Sequence, residues 1–266
     1  MFHPSSQLAP HQVDFFNLNG FLWLDAITTK KEVEKIRLIY DHLFNDRVGW
    51  DQGDQFDLGG NEKSGKLSLP QLMNPSKYIP ELKETLFVKN ARAIAGQIFG
   101  ADLRDEYSEH MIFKAPHHGV ATPWHQDDAY HKPEIKLRNI NFWMPLDDAS
   151  VDNGCMEFVP QSFRTDVLPH HSIGNDPSVH GLEVDDPEQY NSRAVICPIP
   201  AGGCTMHASC TLHYAGANNS DRPRRAYILV FHAKGMARAK PYDNYWLRDR
   251  QTGQMKRSTL AAEIRK

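Results

Sequence analysis

The chain has no run of about eighteen consecutive apolar residues, so no membrane-spanning helix is expected. Its opening, MFHPSSQLAP, has neither a basic n-region nor an apolar h-region. A signal or transit peptide is therefore not expected, and a cytoplasmic location is. Cysteines are few: Cys155, Cys197, Cys204 and Cys210, with none of the spacing of a zinc site. They read as reduced, mostly buried thiols. Charge of one sign is also missing. The formal net charge of -3 leaves no surface for a polyanion, so neither nucleic acid nor a membrane is expected as a partner. Internal repeats and low-complexity linkers are absent.

What is present is enough apolar residue, 40% of 266, for a sizeable core. The N-terminal third reads as helical. Thr29 and Glu32 form a capping-box pattern, followed by Val33, Ile36, Tyr40 and Leu43 at helical spacing. A short strand, GFLWL, precedes it. A second helix is expected over 80–99, with Leu82, Leu86, Ile94 and Ile98 on one face. The Gly- and Asp-rich stretch 49–65 between them reads as a loop. After residue 105 the character changes to short apolar runs: EHMIFK, INFWMPL, CMEFVP, AVICPI, GCTMHA and RAYILVFHA. These are strands of a sandwich or barrel-like double sheet. The expected class is α+β, mainly β, around a jelly-roll core. One domain over 1–266 is expected, with a helical flank (1–104), the core (105–235) and a C-terminal extension (236–266). The polar stretch 163–193 interrupts the core and is read as a lid. Its His170 and His171 are expected to be solvated. The extension carries Tyr245, Trp246 and Leu247, and packs on the chain or joins copies of it into a homo-oligomer.

Fourteen histidines are present, and the question is which have partners. In PWHQDDAY, His125 and Asp127 stand two apart, so an extended backbone points both to one side. No other histidine in the chain has an acid two residues on. With a second histidine the pair makes a facial triad, which leaves about three positions open on an iron ion. In TLHYAGANNSDRPRRAYILVF, His213 ends one strand and Arg224 begins the next, eleven residues on, across a turn-rich connection. A guanidinium there suits a carboxylate, which it binds through two parallel hydrogen bonds. Arg225 is the rival, and neighbouring strand residues face opposite sides, so only one enters a cavity. His207 is the other candidate ligand, read as a partly buried neighbour of the site.

These segments, HQD, NFWMPLDDASVDNGCMEFVPQSF and LHYAGANNSDRPRRA, resemble the phytanoyl-CoA dioxygenase family. The resemblance covers roughly residues 10–235. It implies a double-stranded β-helix, cupin-like, with flanking N-terminal helices, and an iron(II) dioxygenase that consumes 2-oxoglutarate and O2. By the same resemblance His125, Asp127 and His213 match the catalytic iron ligands. Arg224 matches the residue pairing with 2-oxoglutarate, Trp143 an aromatic beside that cosubstrate, and His110 a position touching it. A pure core role for Trp143 is the rival reading, since INFWMPL is an apolar run. Leu69, Gln71 and Ala215 match pocket-lining positions near the substrate. The chain departs from the family at PQSF, where PGSH is usual, and at Ala215, where a small polar residue is usual. The carboxylate Asp127 implies hydroxylation of a small molecule, or desaturation or ring formation, rather than halogenation. Two other readings stand beside this one. A cupin-like metalloenzyme without 2-oxoglutarate has no use for Arg224. A non-catalytic small-molecule-binding protein of the same fold has none for the triad.

Overall fold

A computed structural model describes residues 3–60 and 67–264. The end of the loop expected over 49–65 lies outside the described residues. Helices α1 (Pro10–Asn19), α2 (Lys30–Asn45) and α3 (Leu86–Phe99) occur in the N-terminal part, with α4 (Glu188–Asn191) and α5 (Gly253–Ile264) later. The strands are β1 (Phe21–Leu24), β2 (Gln55–Asp57), β3 (Pro70–Met73), β4 (Leu103–Lys114), β5 (Thr122–His125), β6 (Ile135–Lys136), β7 (Asn139–Pro145), β8 (Met156–Phe158), β9 (His170–Ser172), β10 (Leu182–Val184), β11 (Val195–Cys197), β12 (Cys204–Ala208), β13 (His213–Ala215), β14 (Arg224–Ala233) and β15 (Met236–Ala237).

Two antiparallel sheets make the core. The larger has seven strands in the order β1-β12-β7-β14-β4-β3-β2, and the smaller has four in the order β11-β8-β13-β5. From β4 to β14 the chain passes back and forth between them, which is the winding of a double-stranded β-helix, or jelly roll. Among the described residues the strands do not close into a barrel. All six apolar runs read from the sequence contain strands of these two sheets.

The large sheet is covered on both faces, and this explains its composition. Tyr227, Leu229 and Phe231 of β14 pack with Phe142 and Met144 of β7 against the helices. The alternate residues Ala226 and Ile228, with Trp143, face the small sheet. Strand β7 is buried at every position, so an apolar run with no alternation is what a strand there requires.

Helix α2 forms where the sequence placed it and buries Val33, Ile36, Tyr40 and Leu43. Each such side chain contributes about 1.5–3 kcal/mol on leaving water. Its capping box is only half made. Thr29 accepts from Glu32 N–H at 3.2 Å, but the Glu32 carboxylate accepts instead from Leu86 N–H at 2.7 Å and Phe87 N–H at 3.0 Å. It thereby satisfies free amides at the start of α3 and ties the two helices together. The helix expected over 80–99 is broken. A 3-10 turn, Pro80–Glu84, comes first, and α3 starts afresh with Thr85 as its cap. That restart shifts the buried face to Phe87, Val88, Ala91, Ile94 and Ala95. The helical flank also holds sheet: β2 and β3 extend the large sheet by two strands.

One glycine in the family-like segment is fixed by packing. Gly154 has φ +84°, and a Cβ there would lie 2.1 Å from the Gly216 carbonyl oxygen. The NG-C segment and the segment after His213 therefore touch backbone to backbone.

Candidate active site

His125 ends β5 and His213 begins β13, and the two are direct partners in the small sheet. Gln126 keeps the backbone extended, at φ -118° and ψ 132°, before a 3-10 turn begins at Asp127. Asp127 thus returns to the side of the sheet that His125 faces. The ring Nδ1 atoms of His125 and His213 donate to the carbonyls of Pro123 (2.7 Å) and Thr211 (2.8 Å). A carbonyl can only accept, so each Nδ1 carries a hydrogen, which leaves Nε2 as the ring atom turned to a metal. Both Nε2 atoms lie 3.6 Å from Asp127 Oδ1. One ligand atom from each of the three residues lies within 4.8 Å of the others, so among the described residues these three could hold a metal ion.

The other carboxylate oxygen is held from behind. Asn141 donates to Asp127 Oδ2 at 2.8 Å, and His207 lies 3.3 Å from the same atom. Burial alone would raise the Asp127 carboxyl, but the histidines around it outweigh that and hold it well below its ordinary value. Burial, and then the neighbouring His125 and His207, push His213 well below the ordinary imidazole range. One carboxylate oxygen and two imidazole nitrogens are the donor set that a divalent iron takes. His207, read from the sequence as partly buried, is buried, and its Nε2 faces the Asp127 oxygen turned away from the other two histidines.

The three residues sit on the wall of a cavity of about 360 Å³ between the two sheets. Arg224 enters it and Arg225 does not. Arg225 points outward to Asp41 (2.7 Å) and Asp147 (2.9 Å). Arg224 is 1% exposed, its guanidinium 5.3 Å from the centre of the Trp143 ring. Its Nε and Nη1 have no hydrogen-bond partner among the described residues. A buried cation without a partner is costly, and burial lowers its pKa to about 10. Lys114, opposite Arg224 in the sheet, donates to the carbonyls of Ala215 and Gly216. An anionic carboxylate supplies what Arg224 lacks.

Trp143, His110, Leu69, Gln71 and Ala215 all line this cavity. Burial, partly offset by Asp127, lowers His110 to about 4, so it is neutral at pH 7. Sequence reasoning passed over Asn141. It stands two residues from Trp143 in β7, so strand alternation alone put a polar side chain on the Trp143 face. The 163–193 stretch supplies Ile173, His180, Gly181 and Leu182 to the wall. His170 within it is not solvated, contrary to expectation. It is fully buried, its Nε2 accepts from Gln126 N–H at 3.2 Å, and burial first of all lowers it to about 4. It braces the residue between His125 and Asp127. The C-terminal extension braces the turn beyond. Trp246 Nε1 donates to Ala129 O (3.0 Å), Tyr242 to Asp128 O (2.9 Å), and Arg238 pairs with Asp128.

The chain is similar to phytanoyl-CoA dioxygenase domain-containing protein 1 of Bos taurus, 31% identical over 265 residues, 84% of this chain and 89% of that protein. It is 27% identical over 222 residues to a probable alpha-ketoglutarate-dependent hypophosphite dioxygenase of Stutzerimonas stutzeri, covering 80% of this chain and 74% of that protein. Its fold superposes on EvdO2 from Micromonospora carbonacea var. aurantiaca with a TM-score of 0.78 and 37% identity, over 90% of this chain and 97% of that one. The same protein complexed with 2-oxoglutarate gives a TM-score of 0.77 and 35% identity, with the same coverage. With a triad that fits iron, these likenesses define an iron(II)- and 2-oxoglutarate-dependent dioxygenase, which uses O2 and acts on a small molecule. The Phytanoyl-CoA dioxygenase (PhyH) family model matches residues 16–226, and the chain belongs to that family.

Proposed function

We propose that His125, Asp127 and His213 hold the iron, that Arg224 binds the distal carboxylate of 2-oxoglutarate, and that the enzyme hydroxylates its substrate with release of succinate and CO2. One observation carries this: a converging pair of imidazoles and a carboxylate share a cavity with a buried guanidinium whose Nε and Nη1 have no partner. Bound iron supplies oxygen activation, coupled to oxidative decarboxylation of the 2-oxo acid. The chain's own residues set the geometry. Pro123 and Thr211 carbonyls hold both imidazoles in one tautomer, and Asn141 fixes the rotation of the Asp127 carboxylate. Trp143 packs on Arg224 and holds its plane, while His110, Leu69, Gln71 and Ala215 bound the remaining space. A metalloenzyme that makes no use of 2-oxoglutarate would leave Arg224 buried without a partner, and a non-catalytic binding protein would leave the triad without a role.

We read residues 1–266 as one catalytic unit, because segments from the helical flank, the core, the 163–193 lid and the extension all reach the same cavity wall. The extension packs on its own chain, which supports a bracing role over a homo-oligomer contact. No described helix is long and apolar enough to cross a membrane. The cysteines, all buried and unpaired, accord with the cytoplasm. The test is succinate formation from 2-oxoglutarate with added iron(II) and oxygen. The wild type forms succinate only when both are present, and Asp127→Ala forms none above background. Metal-independent succinate formation, or full activity in Asp127→Ala, overturns the assignment.

A further inference from the structure

Alternate residues along β14 line the cavity in the order Arg224, Ile228, Val230 and His232. The partner strands carry the same rows. Ile228 pairs with His110 and Trp143, Val230 with Ser108 and Asn141, and His232 with Asn139. Asn141 holds Asp127, so the Val230 row marks the level of the metal site. The cosubstrate assigned above occupies the side running back to Arg224. The other side of that level belongs to the substrate, and there the wall carries a hydrogen-bonded chain that nothing so far has used. Asn139 Oδ1 lies 2.9 Å from His232 Nδ1, and His232 Nε2 lies 2.9 Å from Ser108 Oγ. The amide oxygen accepts, so Nδ1 carries the hydrogen and Nε2 accepts the Ser108 O–H. Burial lowers the His232 pKa, which keeps the ring in this neutral form. With its hydrogen committed to His232, Ser108 Oγ turns its lone pairs to the cavity.

The charge inventory narrows the ligand further. Among the described residues of the cavity wall, Asp127 is the only carboxylate and Arg224 the only guanidinium or ammonium group. The metal takes the first and 2-oxoglutarate the second. Among the described residues a charged substrate would find no further guanidinium, ammonium or carboxylate to pair with, and leaving a buried charge unpaired costs several kcal/mol. Apolar side chains of the wall flank Ser108, Val230 beside it and Ile228 one row back, and suit a hydrocarbon body.

We infer that the substrate is an uncharged, largely apolar molecule bearing a hydroxyl group, which donates its hydrogen bond to Ser108 while Asn139 and His232 hold Ser108 in position. The inference rests on the cosubstrate assignment to Arg224. Its test uses the iron-loaded full chain with 2-oxoglutarate and oxygen and three probe types: cyclohexanol and cyclohexane-1,2-diol, cyclohexanecarboxylate, and cyclohexylamine. The alcohols are expected to raise succinate formation and to be oxidised, and the acid and the amine are not. Ser108→Ala should raise the KM for the alcohol about tenfold, as the loss of one substrate hydrogen bond does, while 2-oxoglutarate affinity holds. His232→Phe should do the same, and the double variant should be no worse than either, because His232 acts through Ser108. Additive losses, an unchanged KM in Ser108→Ala, stimulation by the acid or the amine equal to that by the alcohols, or no stimulation by either alcohol overturns the inference. Failure of the wild type to bind 2-oxoglutarate at all would instead remove the assignment beneath it.

Discussion

Part of the cavity wall is made of regular strands, and the rest of irregular segments. Arg224, Lys114 and Trp143 all stand on strands of the large sheet, and Lys114 reaches across to carbonyls at the end of β13. The rest of the wall takes Tyr130 and His131 from the turn after Asp127, Ile173 and His180 from the 163–193 stretch, and Gln254 from the C-terminal extension. Strands buried on both faces hold a side chain in place better than loops do, so chemistry that must not vary belongs on them. Loops tolerate change, and selectivity for a substrate belongs there.

The largest expected effect lies in the strand-built part. Arg224→Ala should weaken 2-oxoglutarate binding by about 2–5 kcal/mol, roughly thirty-fold or more, while Arg225→Ala leaves it unchanged. Calorimetric titration of both variants would show it, and an equal loss in the two would erase the distinction between the two faces of β14. Next is the brace on the metal turn. His170 is held at about 4 when folded, below the ordinary 6.5, so the unfolded chain binds more protons between those values. Its contribution is fully present above pH 6.5 and is lost as pH falls to about 4, at most about 3 kcal/mol. Urea midpoints of the wild type should fall more steeply over that range than those of His170→Gln. Asn141→Ala should weaken iron affinity about 10–100-fold by freeing the Asp127 carboxylate to rotate. A competition titration with a chelator measures this. The smallest change is Trp246→Phe, which keeps an aromatic side chain but loses the indole hydrogen bond to Ala129 and some buried volume, for about 1–2 kcal/mol in a denaturant melt.

The strand-built part was also the legible one. His125 with Asp127, and His213 with Arg224, could be read because strand alternation converts spacing directly into facing. The same rule offered Asn141, but its run is apolar on both faces and reads as core. Glu32 was legible as a capping residue but not its target, because Leu86 and Phe87 come close only when the fold brings α2 and α3 together. Strand β2, QFD, is too short to show a period and forms because β3 pairs with it. His170 sits in a polar stretch whose burial depends on packing against Gln126 and Trp246.

The claim that the triad and Arg224 act on one ligand is tested most directly by titrating 2-oxoglutarate into the protein without oxygen, once metal-free and once loaded with iron(II). The account predicts tight binding only with the metal present, since the 2-oxo acid is then held at both ends. Equal affinity with and without iron, or no binding in either state, would contradict it.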